Sequence, residues 1–237
     1  MIISSIPKNN RAASSCFTSL MAMLIASLLM LGCSKGGSGS EDKAALALDA
    51  LNSASTTAEK IDAIGQLKDV SSGAGERVGA KAVEMLQDGE AEVRKAAMDL
   101  IAVMKHKDAA AVKALGGLFK DDADVEVKKQ ALSTLHSIGA ADEHVKLAKE
   151  ALAGSDEEMQ EYAAFQLSEA GAAAEPALAE LEAALESKSY YTRMYAATAL
   201  GNLGSKAASA KAKLEALTSD KEADVATAAK EALKKIN

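Results

Sequence analysis

Few residues in this chain have the type and spacing that catalysis or metal binding needs, and the histidines come first. An imidazole is the side chain best suited to carry a proton or bind a metal near neutral pH. His136 and His144 are two of only three histidines, and His144 opens a new helical segment, so the two rings should meet near one turn. Asp142 and Glu143 stand beside them and would complete a metal site. The i, i+4 pairing that places two ligands on one helical face is absent, however. The pair reads as solvated turn residues, with no metal; His106 stands apart. No Gly-Lys-Ser/Thr phosphate loop occurs, and Gly36-Gly37-Ser38-Gly39 precedes no strand, so it reads as linker. No serine lies in a Gly-x-Ser-x-Gly elbow. Glu157 and Glu158 are adjacent carboxylates at a helix start, where the macrodipole favours them. No catalytic residue and no cofactor is assigned, and the expected class is not an enzyme.

Recognition chemistry is better represented. Beyond position 33 the chain has six aromatic residues, and five of them fall between Tyr162 and Tyr195. What such a cluster does depends on the elements that carry it, and those follow from a repeat. Val93 is followed by Ala97 at +4, Ile101 at +8 and Met104 at +11, with Asp88 at −5. The same frame fits Val127 (Ala131, Leu135, Ile138, Asp122) and Val225 (Ala229, Leu233, Ile236, Asp220). It fits Met159 (Ala163, Leu167, Ala170) and Thr192 (Ala196, Leu200, Leu203) with Gly154 and Ser187 in place of the Asp. Glu59 begins a weaker copy through Ala63, Leu67 and Val70. Successive anchors lie 34, 34, 32, 33 and 33 residues apart. A fixed period of this size is the signature of a solenoid, whose units bury their apolar faces against one another.

Positions 0, +4, +8 and +11 share one stripe of a helix. Gly139, Gly171 and Gly204 all stand at +12, where helices commonly end in a left-handed residue. Asp at −5 can brace the turn that opens each helix. A second apolar-periodic segment follows each first one, as in Val112-Leu115-Leu118-Phe119, Val145-Leu147-Ala148-Leu152 and Leu178-Leu181-Leu185. Pro176 is tolerable near the first turn of its helix. The expectation is all-α: a right-handed α-solenoid of about six two-helix repeats, with 45–51 as an unpaired leading helix. In this frame Tyr162 and Tyr195 share position +3 of adjacent units, with Phe165 at +6 and Tyr191 at −1 of the same face. Elsewhere +6 holds Asp99, Ser133 and Glu231, and −1 holds Glu92, Glu126 and Asp224. One patch of otherwise polar first helices has become aromatic. Packing between neighbouring first helices accounts for Tyr162 and Tyr195 but not for Phe165. A partner-binding surface of Tyr162, Phe165, Tyr191 and Tyr195 is the other reading.

The runs Glu92-Val93-Arg94-Lys95-Ala96-Ala97, Glu126-Val127-Lys128-Lys129-Gln130-Ala131-Leu132 and Tyr191-Thr192-Arg193-Met194-Tyr195-Ala196-Ala197-Thr198-Ala199-Leu200-Gly201 resemble the short bacterial HEAT repeat. Its pattern, Asp-x-x-x-x-Val-Arg-x-x-Ala-x-x-Ala-Leu-Gly, also occurs in HEAT-like repeats of phycobilisome lyases. The resemblance runs from about Ser53 to Asn237. It implies a HEAT-like solenoid that holds an unidentified protein or peptide partner; the alternative it carries is an enzyme or cofactor-handling relative of the lyase subunits. The basic residue after the anchor is kept in Arg94, Lys128 and Arg193 and lost at Gln160 and Ala226, so the Asp–Arg ladder that the family uses between repeats is incomplete.

Residues 1–32 read as a targeting signal. Lys8 and Arg11 give a positive start, and 20–31 is an apolar stretch of twelve positions, too short to span a bilayer, which takes about 20 residues. Met30-Leu31-Gly32-Cys33 looks like a lipobox, which implies cleavage before Cys33 and a diacylglycerol on its thiol. The other reading is an ordinary cleavage after Ser34 that discards Cys33. Residues 33–41 then form the lipidated cysteine and a Gly/Ser tether of up to roughly 28 Å, and 42–237 the solenoid. Ser34 after the cysteine suggests, by the same resemblance, a bacterial outer membrane, facing the periplasm. With Cys16 inside the signal, no cysteine pair remains for a disulfide. Removing the signal takes two of 27 basic residues and none of 34 acidic ones, leaving 25 against 34, a formal −9. Such a surface opposes nucleic acid and anionic lipid, so a membrane would be held through the acyl chains alone.

Overall fold

The computed structural model describes residues 38–70 and 75–236, all of them in helices or short connections. Helix α1, Ser38–Ser53, is longer than the expected 45–51 and is not unpaired: it packs on α2 Thr57–Val70, which is followed by α3 Gly75–Met85. Next come α4 Ala91–Met104 with α5 Ala109–Asp121, and α6 Val125–Ser137 with α7 Ala141–Leu152. Helix α8 Glu157–Ala170 packs on the 3-10 segment Gly171–Ala177, which leads into α9 Leu178–Ala184. Helix α10 Tyr190–Leu203 is followed by Gly204–Ala210 and α11 Lys211–Leu217, and the last described helix, α12 Ala223–Ile236, packs on α10 and α11. First helices stack on first helices, α2 on α4, α6, α8, α10 and α12 in turn. The fold is an α-solenoid. Helix α1 starts at Ser38, inside the stretch 33–41, while Cys33 and the signal segment lie outside the described residues. None of the described helices is long and apolar enough to cross a membrane.

The anchors Val93, Val127, Met159, Thr192 and Val225 are buried, and Ala97, Ala131, Ala163, Ala196 and Ala229 at +4 are fully so. Glu59, the first anchor, is not. It is the N3 residue of a capping box: Glu59 N donates to Thr56 Oγ1 while its carboxylate accepts from the amides of Ser55 and Thr56. The buried arc is also wider than four positions imply. At +5 Ile64, Met98, Leu132, Ala164 and Ala197 are buried, and at +7 so are Leu100, Thr134, Gln166, Ala199 and Ala232. Each first helix packs on the second helix that precedes it as well as on its neighbouring first helices, so more than one stripe must be apolar. In α12, the last described helix, +5 is Lys230 and is exposed.

Helix ends follow the +12 rule with one addition. Gly139, Gly171 and Gly204 have φ of 73°, 56° and 59°, and Lys105 in the second full unit has φ of 54°. The cap itself is at −3, where Asp124, Asp156 and Ser189 accept from the amides of the first turn. Asp at −5 braces the turn before it: Asp88, Asp122 and Asp220 each accept the amide two residues on. Their other task is the ladder. Lys60 pairs with Asp88, Arg94 with Asp122 at 2.8 Å, and Arg193 with Asp220 through two hydrogen bonds of 2.9 and 3.0 Å. Arg193 Nη1 also donates to the carbonyls of Ser187 and Lys188, as Arg94 does to those of Asp88 and Gly89. Where −5 is Gly154 or Ser187 the rung is missing, and Lys128 and Gln160 donate to backbone carbonyls instead, those of Lys120 and Gly154.

Candidate binding groove

Tyr162, Phe165, Tyr191 and Tyr195 lie side by side. They line one open groove of about 360 Å³ on the faces of α8 and α10, completed by Lys129 of α6 and by Glu158 and Glu161. Phe165 sits between the two tyrosines at +3, its ring 6.2 Å from that of Tyr162 and edge-on to Tyr195 at 5.3 Å. Offset and edge-on pairs of this kind favour a fixed arrangement of rings. Phe165 is half-buried, so it contributes both to the contact between α8 and α10 and to the groove. Tyr191 is the most open of the four at 43% exposure. Its ring is backed by Tyr190 at 4.0 Å, a residue on the margin of the groove.

The floor is a chain of hydrogen bonds running inward from Tyr162. Its hydroxyl donates to the carbonyl of Lys129 at 3.0 Å and accepts from Gln166 Nε2 at 3.0 Å. Gln166 Oε1 then accepts from His144 Nε2 at 3.0 Å, which assigns the proton of the neutral ring to Nε2. Burial pushes the Tyr162 hydroxyl pKa up. His144 departs from the expectation of a solvated turn residue: it is 1% exposed, and burial pushes its pKa down to about 4. His136 is exposed as expected, its ring centre 4.9 Å from that of His144. The segment after Gly139 folds back so that α7 packs along α8, and this turns His144 into the core. No cluster of three or more His, Cys, Asp or Glu among the described residues is placed to hold a metal ion.

Charge around the groove is acidic. Lys129 bonds to Glu158 and Glu126 and lies 6.0 Å from the centre of the Tyr162 ring; those two hydrogen bonds push its pKa up. Glu161 accepts from Ser189 Oγ at the start of α10. Sequence reasoning missed Lys129, Glu158 and Glu161 as groove residues. The signal was available for Glu158, which holds the same −1 position as Tyr191 one repeat later. Lys129 reaches the groove from a different repeat, and only packing shows that.

A family description, HEAT repeats, matches residues 145–234, a span that includes all four aromatic residues of the groove. Among solved structures, an engineered protein superposes with a TM-score of 0.58 at 24% identity, over 82% of this chain and 96% of that one. A designed armadillo repeat protein in complex with the peptide (KR)4 superposes at 0.57 and 23% identity, over 81% of this chain and 98% of that one. A second engineered protein reaches 0.57 at 21% identity, over 94% and 70%. At these identities the likeness is one of fold. No curated protein matches the chain.

Proposed function

We propose that this protein is a non-enzymatic, lipid-anchored scaffold of the bacterial cell envelope that binds a protein segment in the α8–α10 groove. The observation that carries the binding reading is the grouping of four aromatic side chains in one groove, two of them, Phe165 and Tyr191, at positions that the Val93, Val127 and Val225 units make polar. Open aromatic clusters supply large contact area at small entropic cost, which is why they recur as interface anchors. The groove holds no nucleophile–base pair, and its carboxylates are engaged with Lys129 and Ser189. The designed armadillo repeat protein in complex with a peptide is a precedent for a repeat protein of similar fold holding a peptide. Gly32-Cys33 after the apolar stretch supports the anchor, with the outer membrane, facing the periplasm, as the proposed site.

Photocrosslinking in a bacterial host tests the binding half. A crosslinker in place of Tyr191 should trap a discrete partner, whereas one in place of Val103, 59% exposed on α4, should not. Equal trapping at both positions, or none at Tyr191, rejects the groove. The anchor has its own test: wild type should partition into detergent and carry a diacylglycerol mass, and Cys33→Ala should lose both. A Cys33→Ala protein indistinguishable from wild type rejects the lipid.

A further inference from the structure

We infer that the occupant of the groove is an arginine side chain presented by the partner segment. This rests on the reading of the groove as a docking site and adds the chemistry that it selects. The argument is one of charge and shape together. Helix α8 carries Glu157, Glu158, Glu161 and Glu169 and no basic residue. The only ammonium in the groove, that of Lys129, is held between Glu126 and Glu158 at the Tyr162 end. The one guanidinium of α10, that of Arg193, is bound to Asp220 and two carbonyls on another face. The other end of the groove therefore presents Phe165, Tyr191 and Tyr195 with the Glu161 carboxylate and no cation of its own. An aromatic face carries negative quadrupolar charge and attracts a cation placed over it.

The placement of Lys129, 6.0 Å from the Tyr162 ring centre and bonded to a groove carboxylate, is the same arrangement already realised within the molecule. A second cation at the Phe165–Tyr195 end would repeat it, stacked on the rings and paired with Glu161. A guanidinium suits this end better than an ammonium: it is planar, more weakly hydrated, and able to stack and bond a carboxylate at once. An acidic or purely apolar side chain would leave Glu161 facing like charge, or desolvated with only the neutral Ser189 hydroxyl for a partner.

The chain provides its own probe. It has no Trp, and its four tyrosines are Tyr162, Tyr190, Tyr191 and Tyr195, all in or beside the groove. Tyrosine fluorescence of the full chain is titrated with three short peptides identical except at the central residue: arginine, lysine or citrulline, the last a neutral isostere of arginine. The arginine peptide should bind about tenfold more tightly than the citrulline peptide, with lysine between. Glu161→Gln should weaken the arginine peptide several-fold and leave the citrulline peptide unchanged. Phe165→Ala should abolish saturation, with circular dichroism confirming that the variant is folded. Glu92→Gln, an exposed carboxylate of α4 outside the groove, should change nothing. Equal binding of arginine and citrulline peptides overturns the inference, as does equal weakening by Glu92→Gln, which would mark diffuse attraction to an acidic surface. If no peptide binds but the Tyr191 crosslink still traps a partner, the arginine assignment fails and the docking reading stands. If both fail, the groove itself is rejected.

Discussion

Two neighbouring junctions of this solenoid use one repeat frame in different ways. Between α10 and α12, Arg193 grips both oxygens of Asp220 with the Nε–Nη2 edge of its guanidinium, and Gly201 lies so close to α12 that an added Cβ would stand 2.8 Å from the Cα of Ala232. Between α8 and α10 the corresponding basic residue is Gln160 and the corresponding Asp is Ser187, so no ion pair forms across the turn. Phe165 and Tyr195 meet across that junction on the outer face, and Glu161 holds Ser189. The first junction is committed to cohesion of the stack. The second gives up one cohesive rung, and its outer surface carries the groove. In a repeat protein each interface adds its own contribution to stability, so one interface can be relaxed for recognition while its neighbours hold the array.

Acid should separate the two regions most strongly. His144 lies beneath the α6–α8 side of the groove, neutral and buried, with the exposed His136 ring opposing its charge. In the unfolded chain it takes up a proton as pH falls through about 6.5; in the folded chain it does so only near 4. The unfolded state binds more protons in that window, so stability is full above about pH 6.5 and is lost as pH falls toward 4. At about 1.4 kcal/mol per pH unit the loss approaches about 3 kcal/mol. Denaturant titrations across pH 4–7 should show it, and His144→Gln should flatten the curve. The α10–α12 rung should persist through this window, because the hydrogen bonds and charge of Arg193 lower the Asp220 pKa. Hydrogen exchange at pH 5 should accordingly accelerate in α7 and α8 before α12.

Breaking the intact rung is the next largest effect. Arg193→Ala leaves Asp220, 8% exposed, without its partner and two carbonyls without a donor. A loss of about 2–3 kcal/mol is expected, below the ~3–5 kcal/mol of a deeply buried pair because water reaches the edge of the ladder. Gln160→Ala at the relaxed junction should change stability by about 0.5 kcal/mol or less. Equal losses at the two sites would erase the distinction drawn here.

Close packing gives a smaller contrast. Gly201→Ala forces α10 away from the backbone of Ala232, and a net loss of about 1–2 kcal/mol is expected after the gain in helix propensity. Smallest of all, Gly65→Ala in α2, where an added Cβ meets nothing within 4 Å, should stabilise by about 0.5–1 kcal/mol. Thermal unfolding of the pair reads both signs, and a stabilising Gly201→Ala would show that α12 packs more loosely than described.

The solenoid, its period, its helix pairs and the alanine at +4 could all be read from the chain, because each is a local or periodic constraint that every unit states again. The four aromatic residues could be singled out for the same reason: they break a pattern visible in the other units. Three features depended on packing across repeats. The wide buried arc, including Gln166 at +7, arises because each first helix has neighbours on both sides, which the stripe of a single helix does not contain. Glu59 carries the sequence register of an anchor but caps its helix, since its carboxylate finds two free amides at the α2 start. His144 lies in a segment that reads as a polar turn, and it becomes a neutral core residue only because α7 folds back against α8 and Gln166 offers it an acceptor. Periodicity reports which face of a helix is apolar. Which polar side chains find partners inside, and which aromatic rings stay open to a partner outside, is decided by contacts between residues about one repeat apart.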